Sequence, residues 1–170
     1  STISLYPAKI LGCFGDGGAI FTNDDSLASK LKMIANHGQR IKYYHDVVGV
    51  NSRLDTIQAA ILDVKLKHLN FYCEERQKAA AFYDSALKHV EQITIPFRSS
   101  FSTHVFHQYT IKIDEHYSRD DLKSYLAEQG IPSMIYYPLP LHEQKAYLEF
   151  MSEDMEFPIS TALCNSVPSL

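Results

Sequence analysis

The stretch Ser4-Leu5-Tyr6-Pro7-Ala8-Lys9-Ile10-Leu11-Gly12-Cys13-Phe14-Gly15-Asp16-Gly17-Gly18-Ala19-Ile20 decides how the rest of the chain is read. A lysine is followed by a glycine-rich acidic turn and then by an apolar strand, Ala19-Ile20-Phe21-Thr22. Most lysines are solvated surface charges, but Lys9 has the apolar neighbours Leu5, Ile10 and Leu11 and no lysine run beside it. Burial disfavours an ammonium, so such a setting favours the nucleophilic amine. Pro7 stiffens the approach because its ring fixes φ. The run Gly15-Asp16-Gly17-Gly18 taken alone reads as an ordinary turn that exploits the freedom of glycine. It is not a phosphate loop of either common kind, because neither G-x-x-x-x-G-K-[ST] nor a framed G-x-G-x-x-G is present.

Working outward, Asn23-Asp24-Asp25 predicts a turn and helix cap, and Leu27, Leu31 and Ile34 have helical spacing that Gly38 would stop. Gln39 to Val50 shows no period and reads as a loop. Ser52-Arg53-Leu54-Asp55 predicts a capped helix start with an acid three residues after the serine. Beyond it, Ile57, Ile61 and Val64 lie on one face and Leu62, Leu66 and Leu69 on another, which predicts a helix covered on two sides. The helical pattern resumes through Arg76–Leu87, as one kinked helix or two. Phe97 to Thr103 reads as a loop. Tyr109, Ile111 and Ile113 alternate with polar residues as in a half-buried strand. Ser118 starts a helix with Leu122, Tyr125 and Leu126 inward, and Gly130 ends it. A strand over Ile131–Tyr137, halted by Pro138, and a helix over Glu143–Met151 complete the reading.

The 170 residues are 45% hydrophobic and 21% charged, which suits one or two globular domains. A net charge of −4 excludes general affinity for nucleic acid. Three scattered cysteines, Cys13, Cys73 and Cys164, argue against a disulfide framework and for a reducing, cytoplasmic setting. No apolar run is long enough to span a membrane and no signal peptide is visible. The eight histidines show no close metal-ligand spacing, so no metal site is expected. His37, His107 and His142 read as structural or interface residues.

Four further segments follow Lys9 in order: Asn36-His37-Gly38-Gln39, Gly49 through Ala60, His107 through Ile111, and Ile135-Tyr136-Tyr137-Pro138-Leu139-Pro140-Leu141-His142. Together with the lysine segment they resemble the DegT/DnrJ/EryC1/StrS sugar aminotransferases, over almost the whole chain. The resemblance implies a fold of the aspartate-aminotransferase type, an α/β architecture that uses pyridoxal 5′-phosphate. Residues 1–55 would be the end of the large cofactor domain, 56–90 connecting helices, and 91–170 a small, truncated α+β C-terminal domain.

By the same resemblance Lys9 is the Schiff-base lysine, which later shuttles the substrate proton. Ser4 donates its hydroxyl to the cofactor phosphate, and Asn51 reaches the phosphate across a homodimer interface. Arg53, Tyr136 and Tyr137 face the substrate. Ile10 stands where asparagine is common in the family, and Tyr136 where many members have histidine. The implied reaction moves an amino group, commonly from glutamate, to a nucleotide-linked keto-sugar. The acidic glycine turn looks more like the 3-keto than the 4-keto group. A pyridoxal-phosphate sugar dehydratase is the neighbouring alternative, but those relatives carry histidine in place of the lysine. A different class is a catalytically incomplete C-terminal piece with a structural or dimerising role. The chain is expected to be a C-terminal fragment, inactive alone, because the family's earlier half is missing.

Overall fold

In a computed structural model describing residues 1–152 and 155–170, the segments flanking the lysine turn pair with each other. β1 (Thr2–Ser4) runs antiparallel to β2 (Gly18–Ile20), with Thr2 opposite Ile20 and Ser4 opposite Gly18. The ladder stops at Ile20, short of the expected Thr22, although the Phe21 amide still donates to the Ser1 carbonyl at 2.8 Å. The described residues gather into two units, Ser1–Cys73 and Glu74–Leu170.

In the first unit, α1 (Asp25–Ala35) starts as predicted. The Asp24 carboxylate accepts from the Leu27 amide at 3.0 Å, a cap worth about 1 kcal/mol. At its far end His37 and Gly38 both take positive φ, 60° and 73°, and the Gly38 amide returns to the Met33 carbonyl at 2.9 Å. A methyl group at Gly38 would sit 1.8 Å from the Val47 carbonyl oxygen, so only glycine fits.

The segment expected to be a loop contains a short hairpin, β3 (Gln39–Ile41) with β4 (Tyr44–His45). The Gln39 side chain holds the turn by accepting from the Tyr43 amide at 2.6 Å. The hairpin buries neither face, so it has no alternation to betray it: Ile41, Tyr43 and Tyr44 are all exposed.

α2 (Thr56–Leu66) begins three residues later than the serine suggested, with Asp55 at its N-cap and no side-chain cap bond. The reason is tertiary. The amides of Val50 and Ser52 donate to the carbonyls of Ile34 and Ala35 at 2.8 and 2.9 Å, which keeps this stretch extended along the end of α1. The helical pattern then resolves into two helices, because α2 ends at Leu66 and α3 spans Leu69–Leu87.

The core of the second unit is Ala80, Phe106, Tyr109 and Ile111, packed with Tyr83, Leu87, Ile93, Leu122 and Leu170. β5 (Ile93–Thr94) pairs antiparallel with β6 (Lys112–Ile113). The predicted alternation holds, with Tyr109, Ile111 and Ile113 all buried. α4 (Arg119–Glu128) is capped by Ser118, whose hydroxyl accepts from the Asp121 amide at 3.1 Å, and Gly130 follows it at φ 72°. Leu122 and Leu126 are half-buried, but Tyr125 is exposed, because α4 has one narrow covered face.

Two expectations fail. Residues 131–137 form no strand; Met134 makes a single bridge to Ser169, with bonds of 2.9 and 2.7 Å. Ser169 also bridges Thr110, so the tail 168–170 lies between these two segments and takes the pairing that a longer strand would have used. Instead of a helix over 143–151 there are two short 3₁₀ turns, Leu141–Glu143 and Leu148–Phe150, separated by Gln144 in extended conformation. α5 (Pro158–Ser166), absent from the sequence reading, carries proline at its first position. Among the described residues no helix is long and apolar enough to cross a membrane.

Candidate active site

Lys9 sits on a turn whose base is closed by backbone bonds. The Leu5 amide donates to the Gly17 carbonyl at 2.8 Å, the Cys13 amide to the Leu5 carbonyl at 2.9 Å, and the Lys9 amide to the Tyr6 carbonyl at 2.8 Å. Gly12 is where the chain doubles back. A Cβ there would lie 2.5, 2.6 and 2.9 Å from the carbonyl oxygens of Tyr6, Pro7 and Lys9. Any side chain would therefore force the turn open.

The turn is also held from beneath. Cys13 is 1% exposed, and its thiol lies 3.0 Å from both the Leu5 and Gly15 carbonyls. Leu5, Cys13 and Leu62 form a small core with Leu11 beside it. From α2, the Gln58 side-chain oxygen accepts from the Phe14 amide at 2.9 Å, and the Lys65 ammonium donates to the Gly12 carbonyl. Lys9 itself is half-buried. Sequence reading missed Cys13, Gln58 and Lys65. The signal available was that Gln58, Leu62 and Lys65 fall at i, i+4 and i+7, on one face of α2.

Ser4 ends β1, and its hydroxyl oxygen accepts from the Tyr6 amide at 3.3 Å, leaving its own proton to donate elsewhere. Asn51 and Arg53 lie together on the extended segment before α2. The Asn51 side-chain oxygen accepts from Arg53 Nε at 3.0 Å, and both residues are exposed. They line an open cleft of about 1020 Å³ with Asp16, Gly17, Asp55 and Gln58. The first unit thus brings Asn51 and Arg53 to the glycine turn, while Lys9 is not among the residues lining that cleft.

Tyr136 and Tyr137 belong to the second unit. Their rings meet edge to face at 6.0 Å, and both are exposed. With Leu139, Pro140, His142 and Phe157 they line an apolar cavity of about 830 Å³. His142 stacks on Phe157 at 4.8 Å and its Nε2 lies 3.5 Å from Glu143. His37 contributes its backbone, whose carbonyl accepts from His45 Nδ1 at 2.8 Å. The three cysteines are unbridged.

The donor set fits pyridoxal phosphate. A primary amine stands on a rigid, half-buried turn, a hydroxyl with a spare proton ends the adjoining strand, and an amide and a guanidinium line the neighbouring cleft.

Comparison with known proteins follows the same line. The sequence profile of the DegT/DnrJ/EryC1/StrS aminotransferase family matches residues 1–170. The chain is 47% identical over 160 residues to a "Pleiotropic regulatory protein" of Geobacillus stearothermophilus, covering 93% of this chain and 42% of that protein. It is 45% identical over 167 residues to the UDP-2-acetamido-2-deoxy-3-oxo-D-glucuronate aminotransferase of Pseudomonas aeruginosa, covering 98% and 45%. The crystal structure of S. venezuelae DesV in complex with a ketimine intermediate superposes with a TM-score of 0.90 at 39% identity, over 99% of this chain and 45% of that one. The chain therefore spans a little under half the length of the proteins it matches.

Proposed function

We propose a function from the chain's family: it belongs to the DegT/DnrJ/EryC1/StrS aminotransferase family, and the polypeptide that carries it is a pyridoxal-phosphate-dependent aminotransferase acting on a nucleotide-linked keto-sugar. The observation that carries this reading is the turn around Lys9, fixed by backbone bonds at its base and unable to accept a side chain at Gly12. A surface lysine needs no such frame. A nucleophile that must meet one aldehyde carbon repeatedly does.

In this reading Lys9 Nζ holds the cofactor and later carries the proton between substrate carbon and cofactor. Pyridoxal phosphate, when bound, supplies an electron sink for the pair released at that carbon. The Ser4 hydroxyl donates to the phosphate. Asn51 serves the phosphate of a second subunit, and Arg53, Tyr136 and Tyr137 orient the sugar nucleotide. The guanidinium suits phosphate through its planar fork of donors.

The Pseudomonas relative is named for a 3-oxo sugar, which supports a ketone at the same carbon here. Glutamate is the proposed amino donor, and the cytoplasm the proposed location. A homodimer is proposed because Ile57, Val64 and Leu66 of α2 are exposed in the chain by itself, an apolar surface that calls for cover. Residues 1–55 would complete a large cofactor domain, 56–90 connect, and 91–170 form the small domain. The 170 residues alone would be inactive, since they span less than half of their relatives.

Borohydride reduction of the full-length polypeptide with bound pyridoxal phosphate, followed by peptide mapping, tests the assignment. The phosphopyridoxyl group is expected on Lys9. A label on Lys30, Lys32 or Lys42 would sink it.

A further inference from the structure

Gly12, Cys13 and Phe14 follow the Lys9 turn in succession, and the backbone of each is held by a different group. The Gly12 carbonyl accepts from the Lys65 ammonium, the Cys13 amide donates to the Leu5 carbonyl, and the Phe14 amide donates to the Gln58 side chain. Two of these three anchors come from α2, seven residues apart on one face, with the buried Leu62 between them packed against Leu5 and Cys13. The anchors differ in what water could replace. The Phe14 amide bond is exposed, whereas Gly12 is buried and the Lys65 bond is partly buried. Losing Lys65 would leave a carbonyl without its donor in a place poor in solvent. It would do so where three other carbonyl oxygens, those of Tyr6, Pro7 and Lys9, already crowd within 2.9 Å of the Gly12 Cβ position. An ammonium at that point offsets the concentration of carbonyl dipoles that the turn creates.

We infer that Lys65 is a positioning residue for Lys9, with Gln58 as its weaker companion; this rests on the assignment of Lys9 as the covalent site. Lys65 acts through the backbone of the turn and does not touch the cofactor. The step it serves is the addition of Lys9 Nζ to the aldehyde carbon. A carbon–nitrogen double bond forms, and the aldehyde oxygen leaves as water with the two amine protons. No redox change occurs. Ser4 and Asn51 bond to Tyr6 and Arg53 and not to Lys65, so the phosphate contacts proposed for them do not run through its side chain.

That separation gives a test in the full-length polypeptide with two probes. Pyridoxal 5′-phosphate can be captured by Lys9. Pyridoxine 5′-phosphate carries an alcohol instead of the aldehyde and cannot be. In Lys65→Met the affinity for pyridoxal 5′-phosphate should fall by about tenfold, the scale of one lost hydrogen bond from a charged donor. Affinity for pyridoxine 5′-phosphate should stay unchanged, and Lys65→Arg, which keeps a donor, should recover most of the loss. Gln58→Met should show the same selective loss more weakly, and it reports if Lys65→Met does not fold. Equal loss for both probes would mean a general structural role and overturn the inference, as would no loss for either. A parent protein that binds the two probes equally would instead overturn the Lys9 assignment, and this inference with it.

Discussion

Replacing Asp84 by alanine should destabilise the second unit through one buried phenol. Tyr109 is 4% exposed, and its hydroxyl donates to Asp84 Oδ1 at 2.8 Å. Arg98 engages the other carboxylate oxygen through Nε at 2.9 Å and through Nη2, while its guanidinium lies 4.0 Å from the Phe106 ring centre. Truncation strands the phenolic O–H, at about 1–3 kcal/mol for a buried polar group without a partner. The ion pair adds less, about 0.2–1 kcal/mol, because the side chains of Arg98 and Asp84 are 39% and 23% exposed and solvent screens them. The expected cost of Asp84→Ala is therefore roughly 2–3 kcal/mol. Tyr109→Phe should cost about 1.5 kcal/mol, since Asp84 keeps Arg98. Urea denaturation of both single variants and the double variant would measure the two costs and their coupling. The cluster also has an alkaline signature. Burial first, and then the bond to Asp84 and its charge, hold the Tyr109 phenol well above the usual tyrosine range. The stabilisation from its bound proton is present in full below the unfolded value of about 10 and is lost as pH rises toward and through the folded one. Tyr109→Phe should flatten that decline. A loss under about 0.5 kcal/mol for Asp84→Ala, the range of an ordinary surface change, would refute the reasoning. An alkaline decline unaltered by Tyr109→Phe would refute it equally.

Three further outcomes are expected. Gly38→Ala should prevent native placement of the segment carrying Asn51, since the added carbon would overlap the Val47 carbonyl, and limited proteolysis between residues 39 and 50 should report it. Subunits carrying Lys9→Ala and Asn51→Ala, mixed under confirmed exchange, should recover about a quarter of parental activity if sites are shared across a two-fold interface, and none if they are not. Arg53→Ala should weaken the sugar half-reaction by about 1.5–3 kcal/mol and leave the glutamate half-reaction unchanged, while Tyr137→Phe should do the same by about 0.5–1.5 kcal/mol. Stopped-flow spectra showing a slowed glutamate half-reaction would reverse that assignment.

Features written within a few residues were legible in the sequence. The caps at Asp24 and Ser118 and the stops at Gly38 and Gly130 depend on local hydrogen bonds and local φ, and each stands where the pattern put it. The start of α2 was not legible, because the competitor of its serine cap is the Ala35 carbonyl, far back in the chain. The strand expected over 131–137 failed for a similar reason. Its apolar run Met134-Ile135-Tyr136-Tyr137 suits a strand, but Pro132 lies within the segment and Ser169 pairs only with Met134 there. The hairpin of residues 39–45 escaped because its apolar residues Ile41, Tyr43 and Tyr44 are all exposed, and an unburied ladder leaves no hydrophobic period.

The candidate site divides along the same line. Lys9 and its glycine turn form one continuous motif, whereas Gln58 and Lys65 meet that motif across 44 and 53 residues. Side chains that act at such range look like ordinary surface residues of an amphipathic helix until the fold places them. α2 uses its two apolar faces differently. Leu62 is buried within the first unit, against Leu5 and Cys13, while Leu66 one turn later is exposed. Ile57 and Val64, on the other face, are 69% and 59% exposed. One helix thus grips the lysine turn with one side and offers an apolar stripe with the other. A substitution in α2 is therefore read by face: one at Gln58 or Lys65 removes an anchor of the lysine turn, whereas one at Ile57 or Val64 leaves both anchors in place.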